Sequence, residues 1–210
     1  STSVTPFLYS VGPSRGGGLA YRVDRIFIYF DTSTITSTPA SATFSIQRTT
    51  SAPVGEFRII KANAFGGDGQ TSLAASDFDA IPGFSAGNTM DGNVTEYCDN
   101  IIEASVWGTS NDYNNTDINL NSTALSDMTS NDFLILAIVD SGFDYKNVDA
   151  GGPALTRLAH YQVAFSGTTR DPKIDYVAGG YSHGVNTLSS TNISQINTVA
   201  IANIAELNGL

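Results

Sequence analysis

The sequence predicts an all-β fold, a sandwich or barrel, on three observations. Short apolar stretches are separated by Gly, Asn, Asp, Ser and Pro along most of the chain. No long helical period runs through the first ~180 residues. The segment Ala42 to Gln47, ATFSIQ, alternates cleanly, which assigns Ala42, Phe44 and Ile46 to a core and Thr43, Ser45 and Gln47 to solvent.

Taken in order, the expected strands are Thr5–Tyr9, Leu19–Phe30, Ala42–Arg48, Phe57–Ala64, Asn100–Val106, Asp117–Leu120, Asp132–Val139, Leu158–Ser166 and Lys173–Val177. Two segments are apolar on both sides: RIFIYFDTSTI (Arg25 to Ile35) and FLILAIVD (Phe133 to Asp140). A strand with no wet side belongs at the centre of a sandwich whose outer face is covered by loops, neighbouring chains, or both. The long loops Gly66–Cys98 and Ser141–Thr156 are the candidates for that cover, and equally for function. Arg25 and Asp31 frame the first of these strands. An arginine at a strand entry can lay its stem over apolar side chains and pair its fork with a carboxylate or loop carbonyls, so both charges are expected to pin the strand to its loops.

Composition bounds the rest. A chain of 210 residues with 41% hydrophobic and 14% charged residues can bury a substantial core, and its uncharged polar surface fits an extracellular or particle-borne β-protein. A net charge of -10 argues against nucleic-acid binding and against an anionic membrane surface. No apolar run reaches the ~20 residues of a transmembrane helix. The single cysteine, Cys98, excludes an internal disulfide and is expected as a small buried hydrophobe.

Chemistry-bearing residues are few. His160 and His183 are the only histidines, and no G-x-S-x-G, H-E-x-x-H or paired-cysteine spacing accompanies them, so no catalytic residues are assigned and a non-enzyme is expected. Asp140, Asp144 and Asp149 in DSGFDYKNVD are candidate ligands for calcium, because a hard cation takes several oxygens from one acidic loop, although the spacing is not that of an EF-hand. Asp68, Asp77 and Asp79 form a weaker acidic cluster, and apart from calcium no cofactor is expected. A sugar site needs an aromatic platform beside hydrogen-bonding groups, which makes Trp107, Tyr113 and Tyr145 the candidates for ligand stacking, each set against a packing role.

The order of segments resembles a known pattern. Arg25, Phe27, Phe30, Asp31 and Ile35, then Ser41-Ala42-Thr43-Phe44-Ser45-Ile46, are similar to the opening of DNRLRE-type domains. Ser72 to Ile81 (SLAASDFDAI), Asp117 to Asn121 and Ser166 to Val177 match that family's later segments, in the same order. The resemblance implies a jelly-roll β-sandwich related to carbohydrate-binding modules, carried by secreted bacterial proteins, adhesins and phage particles. It also implies that Trp107 stands in a structural strand.

Residues 1–178 are therefore expected as the jelly roll, and 179–210 as a linker followed by a short apolar C-terminal arm. In NISQINTVAIANIAELNGL the residues Asn197, Val199, Ala200, Ile201, Ala202, Ile204, Ala205 and Asn208 resemble segments recurring in bacteriophage structural proteins, with Thr198 and Glu206 departing from that pattern. Ile193, Ile196, Ala200, Ile204 and Leu207 fit one stripe of a helix, whereas Val199, Ile201 and the terminal Asn-Gly fit a hairpin-like clasp. In both cases Ile193, Ile196, Val199, Ile201, Ile204 and Leu207 need cover, from the chain's own sandwich or from a neighbouring subunit.

Three functional classes remain. The first is a non-enzymatic virion protein, a bacteriophage head decoration or fibre component, that forms homo-oligomers, contacts other virion proteins and binds surface polysaccharide. The second is a carbohydrate-binding or adhesive module of a bacterial extracellular protein. The third, a polysaccharide-degrading enzyme, has no identifiable acid/base pair. Either of the first two places the chain on a virion or outside the cell.

Overall fold

The computed structural model describes residues 7–13, 19–47, 52–109, 112–148, 156–159, 171–179, 195–196 and 199–200. The regular elements among the described residues are mostly strands, all paired antiparallel, with one α-helix. The strands are β1 (Phe7–Pro13), β2 (Leu19–Val23), β3 (Ile26–Asp31), β4 (Ser41–Ser45), β5 (Glu56–Lys61), β6 (Ile102–Glu103) and β7 (Ile118–Asn119). After helix α1 (Ser122–Ser130) come β8 (Phe133–Asp140), β9 (Thr156–Ala159), β10 (Lys173–Val177), β11 (Gln195–Ile196) and β12 (Val199–Ala200).

A four-stranded sheet in the order β3-β8-β5-β6 is the centre of the fold. Its longest member, β8, is buried from Leu134 to Asp140, and it pairs with β3 (Ile28 opposite Leu136) on one side and β5 (Ile59 opposite Ile138) on the other. Because side chains alternate across a strand, this strand feeds two cores. Leu134, Leu136 and Ile138 join Ile26, Ile28, Phe57 and Ile59 in a cluster shared with Ala42, Phe44 and Ile118 of the second sheet, β10-β4-β7. Ala42, Phe44 and Ile46 are buried there, as their alternation predicts. Ile135, Ala137 and Val139 face the other way, with Phe27 and Ile60, under Ala64, Ile81, Met90 and Tyr145.

The second face is thus covered by the chain's own loops, 62–98 and 141–148. They hold little regular structure and are fixed by local chemistry. Asp77 is buried and accepts from the backbone N–H of Ala74 (2.9 Å) and Phe65 (3.2 Å), closing a short 3-10 turn (Ala75–Asp79). Gly83 has φ of +87°, and a Cβ there would meet the Asn93 carbonyl at 1.9 Å, so only glycine permits this crossing of two loop segments. The segment before Cys98 runs along β5, with Lys61 N–H on Thr95 O (2.8 Å) and Tyr97 N–H on Ile59 O (2.9 Å).

Several expected boundaries are corrected. Leu19–Phe30 is not one strand: it breaks at Asp24-Arg25, and its halves enter different sheets, β2 beside β1 and β3 beside β8. Asn100–Val106 contains only the two-residue β6 before a 3-10 turn at Ala104–Val106. Helix α1 replaces what had no assigned structure. Asn121 caps it, accepting from Ala124 N–H at 3.2 Å, and Ala124, Leu125 and Met128 pack into the inter-sheet core. Asp132, at φ +63°, then turns the chain into β8. In the arm, Gln195 pairs with Ala200 and Ile196 with Val199, while Ile201 and the terminal Asn-Gly of the expected clasp lie outside the described residues. Ile193, Ile201, Ile204 and Leu207 lie outside the described residues, as do Asp149, His160 and His183.

If the loop-covered face is a true core, Ile135→Ala will destabilise the fold as much as Ile59→Ala on the inter-sheet side, by about 2–5 kcal/mol each. Urea unfolding measures both. A cost below about 1 kcal/mol for Ile135→Ala would mean that the loops lie on that face without packing against it.

Candidate functional site

Two of the acidic candidates, Asp79 and Asp144, come from the two covering loops and meet at Arg25. The break between β2 and β3 places this arginine at the sheet's end, with its side chain only 3% exposed. Its Nε donates to Asp144 Oδ2 and its Nη2 to Asp144 Oδ1, both at 2.9 Å, a bidentate fork. Its Nη1 donates to the Phe78 carbonyl at 2.6 Å and reaches Asp79 Oδ1 at 3.2 Å. The guanidinium carbon lies 4.1 Å from the centre of the Phe78 ring and 4.5 Å from that of Phe84. One cation therefore ties the start of β3 to both covering loops. Asp31 has a smaller role, accepting from Ser33 N–H (3.0 Å) and Ser33 Oγ (2.6 Å) in a local turn, and these bonds hold its carboxyl below the usual range.

The acidic loop is occupied in the same way. Both Asp144 oxygens are held by Arg25, and Asp140 Oδ1 accepts from the N–H groups of Phe143 and Asp144, forming the turn after β8. Asp140 Oδ2 is buried with no hydrogen-bond partner. Among the described residues no three His, Cys, Asp or Glu side chains form a group that could hold a metal ion.

The aromatic candidates are separated. Trp107 is buried and packs edge-on against Phe57, ring centres 5.7 Å apart, in the inter-sheet core. Tyr145 is buried on the opposite face of the sheet, where its hydroxyl donates to Glu96 Oε1 and Arg58 stands 5.1 Å over its ring. Burial, then the Glu96 bond, raises its ionisation well above the ordinary tyrosine value. Neither ring offers an exposed platform to a sugar. Tyr113 is half buried, donates to the Asp171 carbonyl at 2.8 Å and has Lys173 5.1 Å over its ring.

Sequence reasoning missed two further ionic clusters. Glu96 joins Arg58 (2.8 Å) to Tyr145, and Asp127 on α1 accepts from both Lys61 Nζ (2.8 Å) and Tyr97 OH (2.7 Å). The helical spacing of Ala124, Leu125 and Met128 behind the capping Asn121 was the signal that could have placed Asp127 beside β5. Cys98 is buried as expected. Burial, helped by the Asp99 and Glu96 carboxylates, pushes its thiol up to about 12. No family model, curated protein or solved structure gives a significant match to this chain.

Two outcomes follow from this geometry. Asp144→Asn will cost about 3 kcal/mol, since it leaves a buried guanidinium with only the exposed Asp79 as counter-charge, and Arg25→Lys will also destabilise because an ammonium cannot make the fork or the stacking. Thermal unfolding and protease cleavage within 62–98 report both. For Cys98 the folded state favours the neutral thiol, so its contribution is complete below the ordinary thiol value of 9.0 and is lost as pH rises from there towards about 12. Cys98→Ala should flatten that part of the alkaline stability profile, and the native thiol should resist alkylation at pH 8 until the chain unfolds.

Proposed function

We propose that this chain is a non-enzymatic structural protein of a virus particle, a bacteriophage head decoration or fibre component, built on a jelly-roll sandwich that oligomerises. The observation that carries the reading is the terminal pattern Asn197 to Asn208, which resembles segments of phage structural proteins and follows strands in the order of DNRLRE-type domains. Packing supports it. Arg25, Arg58, Lys61, Glu96, Asp127, Asp144 and Tyr145 are each engaged in contacts that hold loops or helix to the sheets, as suits a rigid building block. The apolar arm, with Ile193, Ile196, Val199, Ile201, Ile204 and Leu207, is the proposed anchor to neighbouring subunits or other virion proteins.

A carbohydrate-binding or adhesive module is the second reading, and Tyr113 favours it. This is the one of the three aromatic candidates whose ring keeps access to solvent, and it has a lysine beside it.

Deleting Ser190 to Leu210 tests the first reading: the truncated chain should keep its sandwich but no longer assemble on its particle or oligomer. Assembly at the undiminished level would remove the anchoring role. For the second, glycan-array binding by the full chain should fall with Tyr113→Ala, and binding unaffected by that change would exclude Tyr113 from any sugar site.

A further inference from the structure

Among the described residues, β10 is an outer strand of the β10-β4-β7 sheet. Ala42 O accepts from Leu120 N–H at 2.9 Å, in the register that pairs Thr43 with Asn119 and Phe44 with Ile118, so the even residues of β4 turn their main-chain groups towards β7. Alternate residues of an antiparallel strand bond to opposite neighbours. Ser41, Thr43 and Ser45 therefore bond to β10, through their partners Val177, Asp175 and Lys173. The N–H and C=O groups of Ile174 and Tyr176 consequently point outward, where no strand lies among the described residues.

The side chains along that edge are exposed. Lys173 and Asp175 share a 2.8 Å ion pair with side chains 46% and 61% accessible, and Tyr176 and Val177 are 46% and 61% exposed. The Lys173 ammonium is further held over the Tyr113 ring.

We propose that β10 pairs with β10 of a second copy of this chain, antiparallel about a two-fold axis through Ile174. The main-chain directions require the axis to pass through a residue, because a centre between residues would set an outward-bonding residue against an inward-bonding one. Charge then selects the residue. An axis at Ile174 places Lys173 opposite Asp175 of the partner subunit and Asp175 opposite Lys173 of the partner subunit. An axis at Asp175 would oppose two carboxylates, and one at Lys173 two ammonium groups. With Ile174 at the centre, the two Ile174 residues exchange both main-chain bonds, and Tyr176 N–H meets the Pro172 carbonyl of the partner subunit. Pro172 has no N–H for the return bond, so the ladder stops there.

This deepens the oligomerisation in the proposed function and rests on it, but uses no residue of the arm. Sedimentation equilibrium of the full chain and of Lys173→Asp and Asp175→Lys is the test. Each variant alone opposes like charges, and its dimer should weaken by about tenfold or more. Mixing the two at equal concentration should restore the wild-type dimer, since every aspartate of one then faces a lysine of the other. Ile174→Cys should form a disulfide between copies, because Cα atoms of a directly opposed, hydrogen-bonded pair lie about 5.5 Å apart, within disulfide range. Cys98, buried and with its thiol pushed up to about 12, does not compete. Variants that associate like wild type, or a mixture that stays dissociated, would overturn the β10 interface while leaving a particle role through the arm intact. A wild-type chain that is monomeric and absent from particles would remove both.

Discussion

A guanidinium withdrawn from water has to find a complete set of acceptors, and in this chain Arg25 finds them only if two distant loops come to it. Asp144 supplies both carboxylate oxygens, the Phe78 carbonyl a third acceptor, and the rings of Phe78 and Phe84 close over the plane. Desolvating such a pair roughly offsets its Coulombic gain, so little net stability comes from the ion pair itself. Its effect is positional. With the arginine unable to remain buried and unpaired, loop 62–98 and loop 141–148 are held over the same face of the central sheet, and Ile81, Met90 and Tyr145 are delivered onto Ile135, Ala137 and Val139.

That placement explains a sheet buried on both sides in a chain with one helix among its described residues. One face meets the β10-β4-β7 sheet and α1, and the other meets side chains of loops whose regular structure is limited to short 3-10 turns. Loops of this kind leave main-chain groups to satisfy, and Asp77, Asp140 and Asn121 accept them at the turns and at the helix start. The acidic excess of the chain thus has an internal use. Several carboxylates bond to backbone N–H groups or to the few cations, in buried positions for Asp77 and Asp144 and at the surface for Asp31 and Asp175.

The edge strand β10 follows a different logic. Its alternating lysine and aspartate can either deter pairing with foreign strands or specify one partner, because the same charges that repel a mismatched register attract a matched one. The two-fold register about Ile174 is the arrangement in which these charges complement each other without any change in the strand.

How far these features were legible differs by residue. The unbroken apolar run Phe133–Asp140 marked a strand without a wet side, and the alternation of Ala42–Gln47 showed which residues face the core, because successive side chains of an extended chain point to opposite faces. Arg25 was legible as a charge needing partners at a strand end, but not which partners: Asp144 lies 119 residues away. Trp107 and Tyr145 were legible as aromatics near polar loops, and their burial on opposite faces depends on which way each loop closes. Helix α1 was obscured because a nine-residue helix has little period to detect, although its cap and its apolar spacing were present. By itself the sequence determined an all-β chain with a double-sided core strand, since local sterics and hydrophobic alternation suffice for that. Only the tertiary structure decided what covers the second face and where the acidic residues are used, because those depend on long-range closure, in which a buried charge selects its partner from the whole chain.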